Sequence, residues 1–259
     1  MKKLAIDAGH GKNTAGKRCL KSLDPNETRE WTLNQRAATH LQALLTQYEG
    51  IEIMRVDDST GNTDVPISGA SSRPKAANAW GADFYLSIHH DAGIKGGAGG
   101  GITTFVYTSP QPEELSWQKD IYSALIAAGG LKGNRSQPLN KQNLAVLRET
   151  NMPAVLIECG FMDSKTDVPV ILNHEYPQKL AQGFCNVIVA RWGLKKKLRQ
   201  GDVNGDGKID SSDARMALQH EVGVGTLTPE QLKRADANGD GKVDSSDARL
   251  ILQKEVGGK

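Results

Sequence analysis

Three short apolar runs each end on a side chain that could do chemistry. Leu4-Ala5-Ile6-Asp7-Ala8-Gly9 closes in a small-residue turn that presents His10. Phe84-Tyr85-Leu86-Ser87-Ile88 runs into His89-His90-Asp91, and Ala154-Val155-Leu156-Ile157 runs into Glu158. Each run reads as a buried strand. In open α/β sheets, ligands bind outside the carboxyl ends of the strands. If the three strands share one parallel sheet, His10, His89 and Glu158 converge on one rim. Two imidazoles and a carboxylate there are the ingredients of a zinc hydrolase. His89 and His90 are adjacent, so on a strand they point to opposite faces and only one reaches a given metal. A catalytic zinc takes three protein ligands and keeps one position open. Glu27 or Glu30 could supply the third, and spacing does not choose between them. A carboxylate at Glu30 also suits the N-terminus of a helix.

The elements that must position these groups follow from periodicity. Trp31, Leu33, Ala37, Leu41, Leu44 and Leu45 predict a helix over roughly 29–48. Residues 51–56 form a strand, 57–72 a polar surface loop, and 73–80 a short helix leading into the strand that ends at His89. A glycine-rich loop over 94–101 precedes a strand over 102–107. Leu115, Ile121, Leu125 and Ile126 mark one face of a helix over 112–128, which Gly129 and Gly130 stop. Two helices, around 167–172 and over 178–192, follow the strand that ends at Glu158. Strands alternating with helices predict a three-layer α/β domain with a mostly parallel, twisted sheet flanked by helices. The loop from Gly11 to Lys17 has the glycine and lysine spacing of a phosphate loop. Arg18 stands where Ser or Thr should bind magnesium, so this is a substrate-side loop and not a nucleotide site.

Bulk properties narrow the field. The chain has 259 residues, 24% charged and with a formal net charge of +2. Near-neutral balance argues against a nucleic-acid binder working by bulk electrostatics. The apolar runs are too short for a transmembrane helix, so neither nucleic acid nor membrane is expected as a partner. Met1-Lys2-Lys3 is not followed by the apolar stretch of a signal peptide, which predicts synthesis in the cytoplasm. Cys19, Cys159 and Cys185 are too few and too scattered for a disulfide framework. Cys159, beside Glu158, reads as packing and not as a nucleophile.

Six separated blocks then carry a resemblance. They are Asp7-Ala8-Gly9-His10-Gly11, Glu30 with Asn34, Arg73 with Ala77-Asn78, Ser87 to Ala92, Leu147-Arg148, and Pro153 to Phe161. In order and spacing, residues 1–193 resemble the zinc-dependent N-acetylmuramoyl-L-alanine amidases of the Amidase_3 type. The resemblance implies His10, Glu30 and His89 as zinc ligands and Glu158 as the catalytic glutamate. It thereby selects Glu30 over Glu27 and His89 over His90. The implied substrate is the peptidoglycan amide joining the lactyl group of N-acetylmuramic acid to L-alanine. Arg148 would hold a substrate carbonyl or carboxylate as a fixed donor fork, the plain alternative being a surface ion pair. Asp91 departs from the Asn of many relatives, with little consequence expected.

Residues 194–201 read as a short basic linker. After it, 202–223 and 236–257 align at an offset of 34, with 17 of 22 positions identical. Each repeat opens with a calcium-loop pattern of oxygen ligands at positions 1, 3, 5 and 12 and Gly at 6. In the first loop the ligands are Asp202, Asn204, Asp206, the Lys208 carbonyl and Asp213. In the second they are Asp236, Asn238, Asp240, the Lys242 carbonyl and Asp247. Asp210 and Asp244, at position 9, would act through water. One helix follows each loop and none precedes the first. With Asp at position 12, the region 202–259 resembles a type I dockerin, a small all-α calcium-loop module. That resemblance implies binding to a cohesin, with Ser211, Ser212, Ser245 and Ser246 at the recognition positions. The duplicated helices also leave self-dimerisation open. So small a module should draw much of its folding free energy from Ca2+.

Together these features predict a Zn2+ peptidoglycan hydrolase of the phage endolysin type, made in the cytoplasm and acting on the wall after release. The alternative is a scaffold-borne, cohesin-binding wall protein whose amidase domain is inactive.

Overall fold

The computed structural model describes residues 1–197 and 199–257. Leu198 of the expected linker and Gly258-Lys259 at the end of the expected module lie outside the described residues. The chain divides into two compact units, Met1–Lys195 and Lys196–Lys259.

The first unit begins with β1 (Lys2–Ala8), α1 (Glu30–Leu45), β2 (Ile51–Arg55), α2 (Arg73–Trp80) and β3 (Phe84–Asp91). It continues through β4 (Thr103–Val106), α3 (Pro112–Ala127), β5 (Leu139–Lys141), α4 (Ala145–Arg148) and β6 (Ala154–Phe161). The helices α5 (Val168–Ile171) and α6 (Tyr176–Trp192) close it. One six-stranded sheet runs in the order β2-β1-β3-β6-β4-β5. The pairs β1–β2, β1–β3 and β3–β6 are parallel, as the alternation of strands and helices predicts. β4 is antiparallel to β6. A parallel strand needs a long crossover, usually a helix. The glycine-rich loop between β3 and β4 contains none, so the chain turns back at the rim. β5 pairs parallel to β4 at the sheet edge. Its sequence, Leu-Asn-Lys, carries no strand signal and was not anticipated.

The two faces of the sheet are covered differently. On one, Leu4, Ile6, Phe84, Leu86, Ile88, Val155 and Ile157 pack beneath α1, α3 and α6 in the main core. α1 buries Trp31, Leu33, Ala37, Ala38, Leu41 and Leu45, a stripe at helical spacing. On the other face, Ala5, Tyr85, Ala154 and Leu156 form a thinner layer with Ala77 of α2 and Val146 and Leu147 of α4. The strands therefore send alternate side chains into two apolar layers. Side chains that extend the thinner layer toward the strand ends reach the candidate site.

The second unit holds α7 (Ser211–Glu221), α8 (Pro229–Ala235) and α9 (Ser245–Gly257). Its core is small: Val203, Ala214, Ala217, Leu227, Ala235, Ala248 and Ile251. α8 was not anticipated, although Thr228-Pro229-Glu230-Gln231 is a helix-start signal. Thr228 accepts from the Gln231 N–H, and the Gln231 side chain accepts from the Thr228 N–H.

Candidate active site

Register sets up the site. His89 on β3 lies beside Glu158 on β6. On the β1 side, Gly9 leaves space for the His89 ring, since a Cβ at Gly9 would lie 2.0 Å from that ring. His10 then turns off the strand end with φ at 68°, a left-handed backbone that costs a non-glycine residue strain.

Arg73 holds that turn. Its buried guanidinium donates to the Ala8 carbonyl at 3.0 Å, the His10 carbonyl at 2.9 Å and the Val65 carbonyl at 2.9 Å. It also meets Asp7 at 2.6 Å and Asp64 at 2.9 Å. Asp7 is fully buried and further accepts from Tyr85 and Ser87. Burial raises the Asp7 carboxyl, but Arg73, His89 and these hydrogen bonds outweigh it and hold it below its ordinary value.

Glu30 opens α1 and is 1% exposed. Its Oε1 lies 3.0 Å from His89 Nδ1 and accepts from the His90 N–H. Its Oε2 lies 3.3 Å from His10 Nε2 and 3.7 Å from Lys17 Nζ. One ligand atom from each of His10, Glu30 and His89 falls within 4.8 Å of the other two. His10 Nε2 and Glu30 Oε2 are buried with no hydrogen-bond partner. Buried polar atoms are normally satisfied, so atoms of this type left facing one another fit a divalent cation of the zinc class. Burial raises the Glu30 carboxyl, and His10 and His89 more than reverse that, holding it well below the carboxylate range. Burial lowers the ring of His89, and Glu30 together with Glu158 and Asp7 more than reverses that.

The neighbouring candidates sit elsewhere. His90 faces the main core, where its Nδ1 meets Asn34 Oδ1 at 2.8 Å, and Asn34 in turn donates to the Gly9 carbonyl. Burial lowers His90 to about 4. Glu27 pairs with Arg18. Cys159 is buried in the main core, on the face opposite Glu158.

Glu158 completes the site. Its Oε2 is buried without a partner, and burial pushes its carboxyl up to about 8. His10, His89, Glu158, Lys17 and Asp64 line a cleft of about 430 Å³, walled on its apolar side by Leu144, Val146 and Leu156.

A family model for N-acetylmuramoyl-L-alanine amidases matches residues 4–190. The chain belongs to that family. The amidase is 32% identical over 202 residues to the sporulation-specific N-acetylmuramoyl-L-alanine amidase of Bacillus subtilis (strain 168), a match spanning 78% of this chain and 72% of that one. It is 27% identical over 213 residues to an endolysin of Bacillus phage SPP1, spanning 82% of this chain and 74% of that one. Among solved structures, an N-acetylmuramoyl-L-alanine amidase from Clostridium difficile 630 superposes with a TM-score of 0.65 at 27% identity, covering 74% of this chain and 97% of that one. A type I dockerin domain model matches residues 200–255.

Arg148 of the amidase stands apart from the cluster. Its guanidinium donates to Asn143 at 2.7 Å and pairs with Glu149 at 3.2 Å. It lines a separate groove with Tyr107 and Met152. The same short helix gives Ala145 and Val146 to the cleft wall.

In the dockerin unit both loops close on their own backbone. Asp202 accepts from the Gly205 and Gly207 N–H groups, and Asp236 from those of Gly239 and Gly241. Asp213 and Asp247 are fully buried and accept from loop N–H groups at both oxygens. Asn204 and Asp206, like Asn238 and Asp240, face each other across each loop. Gly207 and Gly241, at position 6, have φ of 91° and 84°, which only glycine adopts freely. Inward-turned carboxylates on a glycine hinge fit calcium. Asp210 and Asp244 are engaged as helix caps, each accepting from the N–H and hydroxyl of Ser212 or Ser246. Ser211 and Ser245 are exposed.

Among the described residues, no helix is long and apolar enough to cross a membrane.

Proposed function

We propose that the chain hydrolyses the amide between the lactyl group of N-acetylmuramic acid and L-alanine, with His10, Glu30 and His89 holding Zn2+ and Glu158 as general base. The observation that carries this reading is the cluster of His10, Glu30 and His89 ligand atoms within 4.8 Å of one another, beside a cleft that His10, His89 and Glu158 line. Zinc bound there would polarise the scissile carbonyl and make water a stronger acid. Glu158 takes a proton from the attacking water and gives it to the departing L-alanine amine, leaving a lactyl carboxylate and a free amino terminus. Burial raises its carboxyl, which suits the proton-donating half of that cycle. The apolar wall of Leu144, Val146 and Leu156 accommodates the non-reacting part of the substrate. Arg148, one turn further along α4, holds a carbonyl or carboxylate of substrate that extends past the cleft.

Residues 1–193 act as the catalytic domain, 194–201 as linker and 202–259 as a calcium module. Two Ca2+ ions occupy the module's loops, and a cohesin is its partner, with Ser211, Ser212, Ser245 and Ser246 at the contact. The likeness to a phage endolysin supports a lytic role on the wall, after release from the cell that makes the enzyme.

Digestion of purified cell walls, with the new termini identified by mass spectrometry, tests the reading. Free L-alanine amino termini should appear, vanish with EDTA, and return on adding zinc. Glu158→Ala should lower kcat by about 10²- to 10⁴-fold, the usual worth of a positioned acid–base group. Full activity in Glu158→Ala would overturn the reading.

A further inference from the structure

The row of residues that crosses the sheet at the site does not end at Glu158. β4 sets Thr103 opposite Glu158 in antiparallel register. Residues opposed in that way share a face, with Cβ atoms about 4.5–5.5 Å apart. Packing agrees: Phe105 and Tyr107 on the Thr103 side of β4 join the same apolar layer as Leu156, two residues before Glu158. The row therefore reads Gly9, His89, Glu158, Thr103 across four strands' ends.

Thr103 is 4% exposed and its Oγ1 is buried with no hydrogen-bond partner. Glu158 Oε2 is in the same condition. A buried hydroxyl and a buried carboxylate oxygen left unmet each cost stability, the carboxylate more. Here the two lie directly opposite each other on one face of the sheet. On the other flank of Glu158, His89 is already engaged with Glu30. Thr103 is thus the in-row donor that remains for the general base.

We propose that Thr103 is a positioning residue for Glu158, its hydroxyl donating to the inner carboxylate oxygen so that the outer one stays aimed at the substrate. This rests on the reading of Glu158 as the general base. A base with one oxygen tethered keeps its other lone pairs on the line of proton transfer. Valine has the same shape as threonine without the donor, so it isolates the hydroxyl.

The experiment measures kcat, KM, zinc content and melting temperature for the full chain carrying Thr103→Val, Thr103→Ser or Glu158→Gln. The expected result for Thr103→Val is a fall in kcat of about 10- to 100-fold, the worth of a hydrogen bond to a charged group. KM and zinc content should be unchanged, and Thr103→Ser should recover most of the loss. If valine disturbs the fold, the Thr103→Ala and Thr103→Ser pair gives the same comparison. Hydroxyl-free variants at the wild-type kcat, with Glu158→Gln inactive, would overturn the role of Thr103 alone. Wild-type activity in Glu158→Gln would instead overturn the general-base reading beneath it.

Discussion

The two candidate metal regions are built in opposite ways. In the first unit, the ligating atoms come from a strand end, a helix start and a second strand end, at residues 10, 30 and 89. A buried frame holds them: Arg73 on the His10 turn, Asn34 between Gly9 and His90, and a large core beneath. In the second unit, each set of carboxylates lies within one loop and is held mainly by that loop's own N–H groups and nearby Asn and Ser side chains. Among the described residues, its buried core is made of small or medium side chains. The first site draws its shape from a large core, whereas the second unit has little core beside its loops. Catalysis requires fixed geometry, and a small calcium-loop unit of this kind would draw stability from its ions.

Calcium removal should expose this difference most strongly. An ion that binds only the folded state stabilises it by about 2.7 kcal/mol at a hundredfold excess over Kd, and the module has two loops. Chelation by EGTA should therefore abolish the melting transition of residues 196–259 and open their lysines and arginines to trypsin. The transition of residues 1–195 should remain. Equal protease resistance of the C-terminal unit with and without calcium would remove the contrast.

The same contrast decides what could be read from the sequence. The two acidic loops of the second unit are legible because their residues are local and their glycines fall at fixed positions. The strand ends at His10, His89 and Glu158 were legible because an apolar run that stops at a polar group is a local pattern. Non-local features were not. Glu27 and Glu30 could not be told apart by spacing, since the choice depends on how α1 lies against a strand that pairs far away. Arg73 stands out only as part of a family block, and nothing nearby shows that it reaches Asp7, 66 positions earlier. The reversal of β4, which creates the pairing of Thr103 with Glu158, follows from a helix missing in a loop. Asp7, however, carries a local signal of its own. A carboxylate in the middle of a buried strand must have a partner, and a buried arginine is the usual one.

Arg73 is accordingly where the first unit should break. Arg73→Met leaves Asp7 buried without its counter-ion and should destabilise residues 1–195 by about 3–5 kcal/mol. The second unit should melt as before. The pH dependence carries a definite sign. Because the folded protein holds Asp7 below its ordinary value of 3.8, the pair's contribution is complete above that pH. It is lost as the pH falls through the depressed folded value. Chemical denaturation from pH 6 downwards should show this acid-side loss in the wild type and a smaller one in Arg73→Met. An unchanged acid limb would mean that Asp7 draws its support from Tyr85 and Ser87 instead.

The smallest effects separate structure from recognition within the second unit. The four serines expected at the partner surface do not share one environment. The Ser246 hydroxyl donates to Asp244 Oδ1 at 2.5 Å and accepts from Asn238 at 3.2 Å, and Ser212 does the same for Asp210 and Asn204. Each ties its calcium loop to the helix that follows. Ser211 and Ser245 precede them in the chain and face outward. Ser212→Ala or Ser246→Ala should therefore cost about 1 kcal/mol of folding stability, a few degrees in the melting temperature of a domain this size. Ser211→Ala and Ser245→Ala should stay within about 0.5 kcal/mol of wild type, as exposed substitutions do. If the outer pair weakens capture by a cohesin while the melting curve holds, recognition belongs to those two hydroxyls. The inner pair then acts on the partner only by holding the helices in place. Equal stability losses at all four positions would erase that division.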